Sequence, residues 1–226
     1  MPSLARLEIP TCASANVTLP HNLDKSMTVE QEYPFSVWLT KEKQMPSTTD
    51  QGTQETLSLP PDDLTRSLIL ASADDQNRPH IGLVGDTYTI LLSGKDTAGR
   101  FCLIDMHIPP GGGPPPHRHD FEETFILLDG EMEATFRGAQ STVRAGQTIH
   151  IPANAPHQFH NSSDQPVRLL CLCSPAGQED FFAEVGVPVA TRTTPPPKLD
   201  PSAQAAFRAK AEALAPKYRT EFLQQA

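Results

Sequence analysis

The chain has 226 residues, 38% of them hydrophobic and 20% charged, with a formal net charge of −9. No Lys/Arg cluster interrupts that acidic balance, so the electrostatic footprint of a nucleic-acid binder is missing. No run approaches eighteen apolar residues, and Arg6, Glu8 and Pro10 break the start where a signal peptide needs continuity, so the expectation is a cytoplasmic protein with no membrane partner.

Residues 1–78 read as an N-terminal extension. The stretch "TKEKQMPSTTDQGTQET" is polar and punctuated by Gly and Pro, which suits loop or disorder. Phe35, Val37 and Leu39 alternate within Tyr33–Thr40 and suggest one short strand. "LTRSLILASAD" fits helix or strand equally, because periodicity does not separate them. The first 60 residues have three open readings: a disordered leader, a strand exchanged with a second copy, or a lid over the barrel mouth. Cys12, Cys102, Cys171 and Cys173 form no C-x-x-C pair and read as small buried hydrophobes in a reducing compartment. The N-x-[ST] matches at Asn16 and Asn161 matter only outside the cytosol.

Over residues 79–190 the pattern becomes regular. "TYTILLSG", "RFCLIDMHI", "ETFILL", "EMEATFRG", "STVRAGQTIHI", "HQFHN" and "PVRLLCLC" are short runs rich in β-formers, each bounded by Gly, Pro, Asn or Asp. Short strands at this spacing indicate an all-β sandwich or barrel. In Glu131–Arg137, Met132, Ala134 and Phe136 alternate inward while Glu131, Glu133, Thr135 and Arg137 face out. Asp129-Gly130 is a two-residue hairpin signal, predicting a register with Phe125 opposite Ala134 and Glu123 opposite Phe136. Residues 191–226 form a Pro-rich linker and a terminal helix. Asp200 caps it, Pro201 occupies its first position, and Phe207, Ala211, Leu214, Tyr218 and Phe222 line one face, with a kink or interruption at Pro216.

One constellation carries chemistry. In "GGGPPPHRHDFEET", His117, His119 and Glu123 share parity, so an extended segment aims all three at one interior face. A carboxylate buried there is costly unless a cation meets it, and two imidazoles beside it suit a divalent metal. "GQTIHIPANAPHQFHN" offers a fourth ligand, His157, with Phe159 on the same side and His160 on the other. Arg118 and Asp120 face away. His107 and His150 read as ordinary strand histidines, and His21, His80 and His160 as surface or loop residues.

These two stretches resemble the paired motifs of the cupin superfamily, in particular its small single-domain quercetin-dioxygenase-like members. The pattern G-x5-H-x-H-x3-E-x6-G is met by Gly111, His117, His119, Glu123 and Gly130. The pattern G-x5-P-x-G-x2-H-x3-N is met by Gly146, Pro152, His157 and Asn161, with Asn154 where the family has Gly. Asn tolerates the left-handed conformation that Gly would supply. The resemblance implies an all-β fold: a single jelly-roll-like cupin β-barrel, with the irregular N-terminal extension and C-terminal α-helix outside it. It implies a metal held by His117, His119, Glu123 and His157: Fe2+ or Mn2+ first, with Ni2+, Zn2+, Co2+ and Cu2+ as alternatives. Glu123 would also serve as catalytic proton acceptor, and Phe121, Phe125, Met132, Phe136 and Phe159 would line the substrate pocket. For most of these apolar residues plain core packing is the competing reading.

Two functional classes stay open. One is an oxidoreductase, a dioxygenase acting on O2 and a small aromatic, enol or diketone-type molecule. The other is a non-oxidative cupin (isomerase, lyase or cyclase) or a module that only binds a small molecule. The extension lacks the paired helices of a DNA-binding regulator, and both motifs occur once, unlike the duplicated barrels of oxalate decarboxylases. Exposed sheet edges imply a homodimer.

Overall fold

The computed structural model describes residues 59–83 and 85–224. The chain divides into two compact units, Met1–Pro61 and Asp62–Ala226. The strand expected at Tyr33–Thr40, the open readings of the leader, and Cys12, Asn16 and His21 lie outside the described residues. Among the described residues, every strand and helix belongs to the second unit.

The segment "LTRSLILASAD" forms neither helix nor strand. Leu64, Leu68 and Leu70 stay exposed, so it lacks the buried face that would stabilise either element. Regular structure begins with β1 (His80–Leu83) and β2 (Asp86–Leu92), followed by a helical turn, α1 (Gly94–Thr97), and β3 (Cys102–Ile108). Then come β4 (His117–His119), β5 (Glu122–Asp129), β6 (Glu131–Phe136), β7 (Ala139–Arg144), β8 (Thr148–Ile151), β9 (His157–His160) and β10 (Val167–Ser174). The chain closes with α2 (Gln178–Val185), β11 (Val187–Pro188), α3 (Pro201–Leu214), a 3-10 turn (Ala215–Tyr218) and β12 (Thr220–Phe222).

The strands form two antiparallel sheets, ordered β11-β1-β2-β3-β10-β5-β8 and β12-β4-β9-β6-β7. Their inner faces share one apolar core, in which Ile104, Leu127 and Leu169 of the first meet Met132 and Phe159 of the second. Phe125 and Phe159 make an edge-on contact across the gap, with ring centroids 5.3 Å apart. This is the jelly-roll-like all-β class expected from the sequence. The two sheets remain distinct rather than closing into one barrel.

Three expectations need correction. Asp129-Gly130 is a turn, with Gly130 at φ 80°, yet β5 and β6 are not a hairpin. The edges of β5 are taken by β10 and β8, and those of β6 by β9 and β7, so the chain passes from one sheet to the other at this turn. Alternation survives the crossing because both strands face the same core: Phe125, Leu127, Met132 and Ala134 are all buried. The expected pairing of Glu123 with Phe136 does not form. Glu123 lies opposite Cys173 and Ile151, and Phe136 opposite His157 and Ala139.

The terminal helix is capped as expected, the Asp200 carboxylate accepting from the Ala203 N–H at 2.8 Å. It does not run on to Phe222. Pro216 lacks an N–H and sits in a 3-10 turn, Arg219 turns left-handed at φ 58°, and the chain becomes β12. That strand pairs with β4, placing Phe222 opposite His117 and Thr220 opposite His119. The third correction concerns His80, which is buried on β1 with Nδ1 2.8 Å from the Thr89 hydroxyl. His160 is exposed, as expected.

Candidate metal centre

The approach to β4 is built from backbone. Gly113 crosses β9 so closely that a Cβ would strike the Phe159 carbonyl, and its φ of 129° suits only glycine. The Gly111 N–H donates to the Asn161 carbonyl at 2.8 Å, and the Asn161 N–H to the Gly112 carbonyl at 2.9 Å. The first and last residues of the two sequence motifs are thereby joined. The Asn161 amide donates to the carbonyls of Ile108 and Gln165 and is fully buried, so this N-x-S site offers nothing to a glycosylating enzyme. Asn154 takes the left-handed conformation at φ 66°, and its N–H holds the His119 carbonyl at 2.7 Å.

His117, His119, Glu123 and His157 converge, their donor atoms all within 4.8 Å of one another and all four residues buried. The three histidines project from the five-stranded sheet and Glu123 from the seven-stranded one, so the cluster spans the core between them. Each imidazole is oriented by a carbonyl: Nδ1 of His117, His119 and His157 lies 2.9 Å from the oxygen of Pro115, Phe121 and Ala155 respectively. A carbonyl only accepts, so each Nδ1 carries a proton and each ring turns its Nε2 inward. Nε2 of His119 and of His157 both stand 3.1 Å from Glu123 Oε2.

Two lone pairs facing one carboxylate oxygen repel unless a positive charge intervenes, as a proton on a ring or as a cation. Separations near 3 Å are those of neighbouring donors each roughly 2.1 Å from one ion. The donor set therefore fits a divalent metal. Charge in the bare cluster follows the same logic. Burial would raise the Glu123 carboxyl, but the hydrogen bonds and charges of His119 and His157 outweigh it and hold the group far below the usual carboxylate range. Burial, with His157 alongside, pushes His117 down to about 4, so it is neutral at physiological pH. For His157, burial works against the proton, and the Glu123 bond overrides it and raises the group.

The apolar candidates separate. Phe125 and Phe159 line a cavity of about 60 Å³ that also contains His117 and Glu123. Phe121 stacks flat on His119, with centroids 3.8 Å apart. Met132 is core, lining neither this cavity nor the next. Phe136 borders a second cavity of about 250 Å³, on the other side of Phe125, Phe159 and His157. Arg118 and Asp120 face outward, pairing with Glu221 and Arg219 of the C-terminal segment. His150 bonds Glu122 on the surface, and His107 is half-buried on β3, away from the four donors.

Sequence reading missed several residues here. Gln178, at the start of α2, is only 6% exposed and lines the His117 cavity, and its Oε1 finds no hydrogen-bond partner among the described residues. Thr220 and Phe222 close the same cavity from β12. Neither position carries a local signal, because each depends on where a distant segment docks. Cys171 and Cys173, on the inner face of β10, lie against Glu123 Oε1 at 3.3 and 3.7 Å. Period-two alternation in "VRLLCLC" would have put them on the core face. Burial raises the Cys171 thiol to about 12, so it keeps its proton.

Two motif segments bridging the sheets of a jelly roll, with three imidazoles and one carboxylate between them, define a cupin-type centre. The cupin-domain family pattern matches residues 104–173, and the chain belongs to the cupin superfamily. It is 30% identical over 108 residues to quercetin 2,3-dioxygenase of Bacillus subtilis, which covers 47% of this chain and 32% of that one. It is also 30% identical over 109 residues to the uncharacterized protein MJ1618 of Methanocaldococcus jannaschii, covering 47% of this chain and 87% of that one. Among solved structures, the polyketide cyclase RemF of Streptomyces resistomycificus shares 29% identity over 46% of this chain and 73% of its own, with a TM-score of 0.38. The chain thus spans about a third of the dioxygenase it matches. No helix among the described residues is long and apolar enough to cross a membrane.

Proposed function

We propose that the protein is a metal-dependent cupin dioxygenase acting on a small aromatic, enol or diketone-type substrate. The observation that carries this reading is the convergence of three inward Nε2 atoms and Glu123 Oε2 beside an apolar cavity. The 30% identity with a quercetin dioxygenase supports the oxidative choice. His117, His119, His157 and Glu123 would hold the ion, Fe2+ or Mn2+ foremost. The ion would supply Lewis acidity toward an enol or phenol oxygen and a redox centre for reaction with O2.

The chain's own residues do the rest. Glu123 would accept the proton released by the substrate enol, a transfer that works against the low proton affinity its histidine neighbours give it and so requires a substrate oxygen made acidic. Phe125 and Phe159 receive the apolar body, while Gln178 offers its unpartnered Oε1 to a hydrogen-bond donor of the substrate. At about 60 Å³ the cavity is smaller than the roughly 150 Å³ that benzene occupies in an engineered core. A larger substrate would need the cavity wall to move, and Phe207 of α3 and Phe222 of β12 are part of that wall. Association as a homodimer belongs to the same reading, with the largely exposed edge strand β7 as the joining surface.

The test is elemental analysis of protein purified without added metal, followed by oxygen uptake with flavonols and small diketones. Uptake that disappears in His157→Ala is the expected result. Turnover that proceeds equally without oxygen would assign isomerase, lyase or cyclase chemistry instead, and a folded protein that holds no metal would defeat both.

A further inference from the structure

We propose that Cys171 and Cys173 are positioning residues that hold Glu123 so that it presents a single oxygen to the ion. The two oxygens of this carboxylate face different chemistries. Oε2 meets the imidazoles of the five-stranded sheet, with Nε2 of His119 and of His157 each at 3.1 Å. Oε1 meets the sulfurs of its own sheet, with Cys171 Sγ at 3.3 Å and Cys173 Sγ at 3.7 Å. The sulfurs are 3.5 Å apart, and Cys173 is the direct register partner of Glu123 across β10 and β5.

Had these cysteines been mere small hydrophobes, a buried carboxylate oxygen would not be their neighbour. An ionised carboxylate only accepts, and Glu123 is only 4% exposed, so Oε1 depends on donors from within the core. A thiol meets that need while remaining apolar enough to pack beside Ile104 and Leu169. With Oε1 engaged, Glu123 cannot swing to offer both oxygens. A six-coordinate ion with four protein donors keeps two positions for substrate and co-substrate, whereas a two-oxygen Glu123 would take one of them.

This inference rests on the metal reading, and the experiment separates the two. Wild type, Cys171→Val and Cys171→Ser are loaded with Mn2+, and water-proton relaxivity per bound ion reports the exchangeable waters. Wild type and the hydroxyl-bearing Cys171→Ser should match, while Cys171→Val should retain Mn2+ with relaxivity lowered to roughly half, one water in place of two. If valine overpacks and thermal melts show misfolding, the double variant C171A/C173A removes both donors without added bulk and is read identically. A purely structural role would shift the melting temperature and leave relaxivity unmoved, which overturns the inference while sparing the metal centre. Wild type that binds no Mn2+ overturns both.

Discussion

His117 and His157 are register partners across β4 and β9, Cα opposite Cα, with ring centroids 4.3 Å apart. One sits in the first motif and the other in the second, so a single rung of the sheet brings the motifs together. Replacing either by Ala should cut metal affinity by at least ~10–100-fold, the loss seen even for residues that merely hydrogen-bond a ligand. His160→Ala, on the outward face of the same strand, should retain the wild-type metal content. Elemental analysis of the three variants checks this, and the reverse pattern would refute the alternation on which the site rests.

Gln178 gives a prediction with opposite signs for stability and binding. Its buried Oε1 is unpartnered, so Gln178→Leu should leave the melting temperature unchanged or raise it. The same variant should raise KM about 10-fold, corresponding to one lost hydrogen bond to a desolvated partner, with metal content intact. A lowered melting temperature with normal KM would make Gln178 a structural residue.

Asp86 is buried beneath the Gly111–Gly113 approach, accepting the Tyr88 hydroxyl at 3.0 Å. Burial pushes its carboxyl up to about 7, against the Tyr88 hydrogen bond. The unfolded state therefore releases this proton near 3.8 and the folded state only near 7. Between those values the folded state binds more protons, so its contribution is present at low pH and lost as pH rises through the window. At about 1.4 kcal/mol per pH unit the loss is on the order of 4 kcal/mol. Asp86→Asn keeps the acceptor for Tyr88 and removes the titration, so urea melts at pH 5 and pH 8 should differ less in the variant than in wild type.

Asn154 stands at φ 66° in the loop that delivers His157. Asn154→Ala should cost about 1 kcal/mol, because a Cβ without a local hydrogen bond is strained there. Asn154→Gly should be neutral or stabilising. Chemical denaturation of the pair tests the point, and equal stability for Ala and Gly would contradict it.

Local rules went far in this chain. Alternation identified the buried face of His117, His119, Phe121 and Glu123 even though Asp120 and Phe121 interrupt the strand, because successive side chains oppose each other in any extended segment. The Asp200 cap was legible because a bond within three residues decides it, and the Asn154 conformation because Asn stands where the cupin pattern has Gly. The Asp129-Gly130 hairpin failed because turn chemistry specifies that a chain reverses and is silent on which strand it then pairs with.

Period-two alternation and turn chemistry were enough to set an all-β class and to put His117, His119, Glu123 and His157 on inward faces, while the jelly-roll class came with the resemblance to the cupin motifs. That the histidines and the carboxylate come from opposite sheets was readable only in the assembled fold. So were the two thiols standing behind Glu123, and the closure of the cavity by Gln178 and a terminal strand. Those facts depend on which distant segments compete successfully for each strand edge and each apolar face, a contest settled by the packing of the whole core.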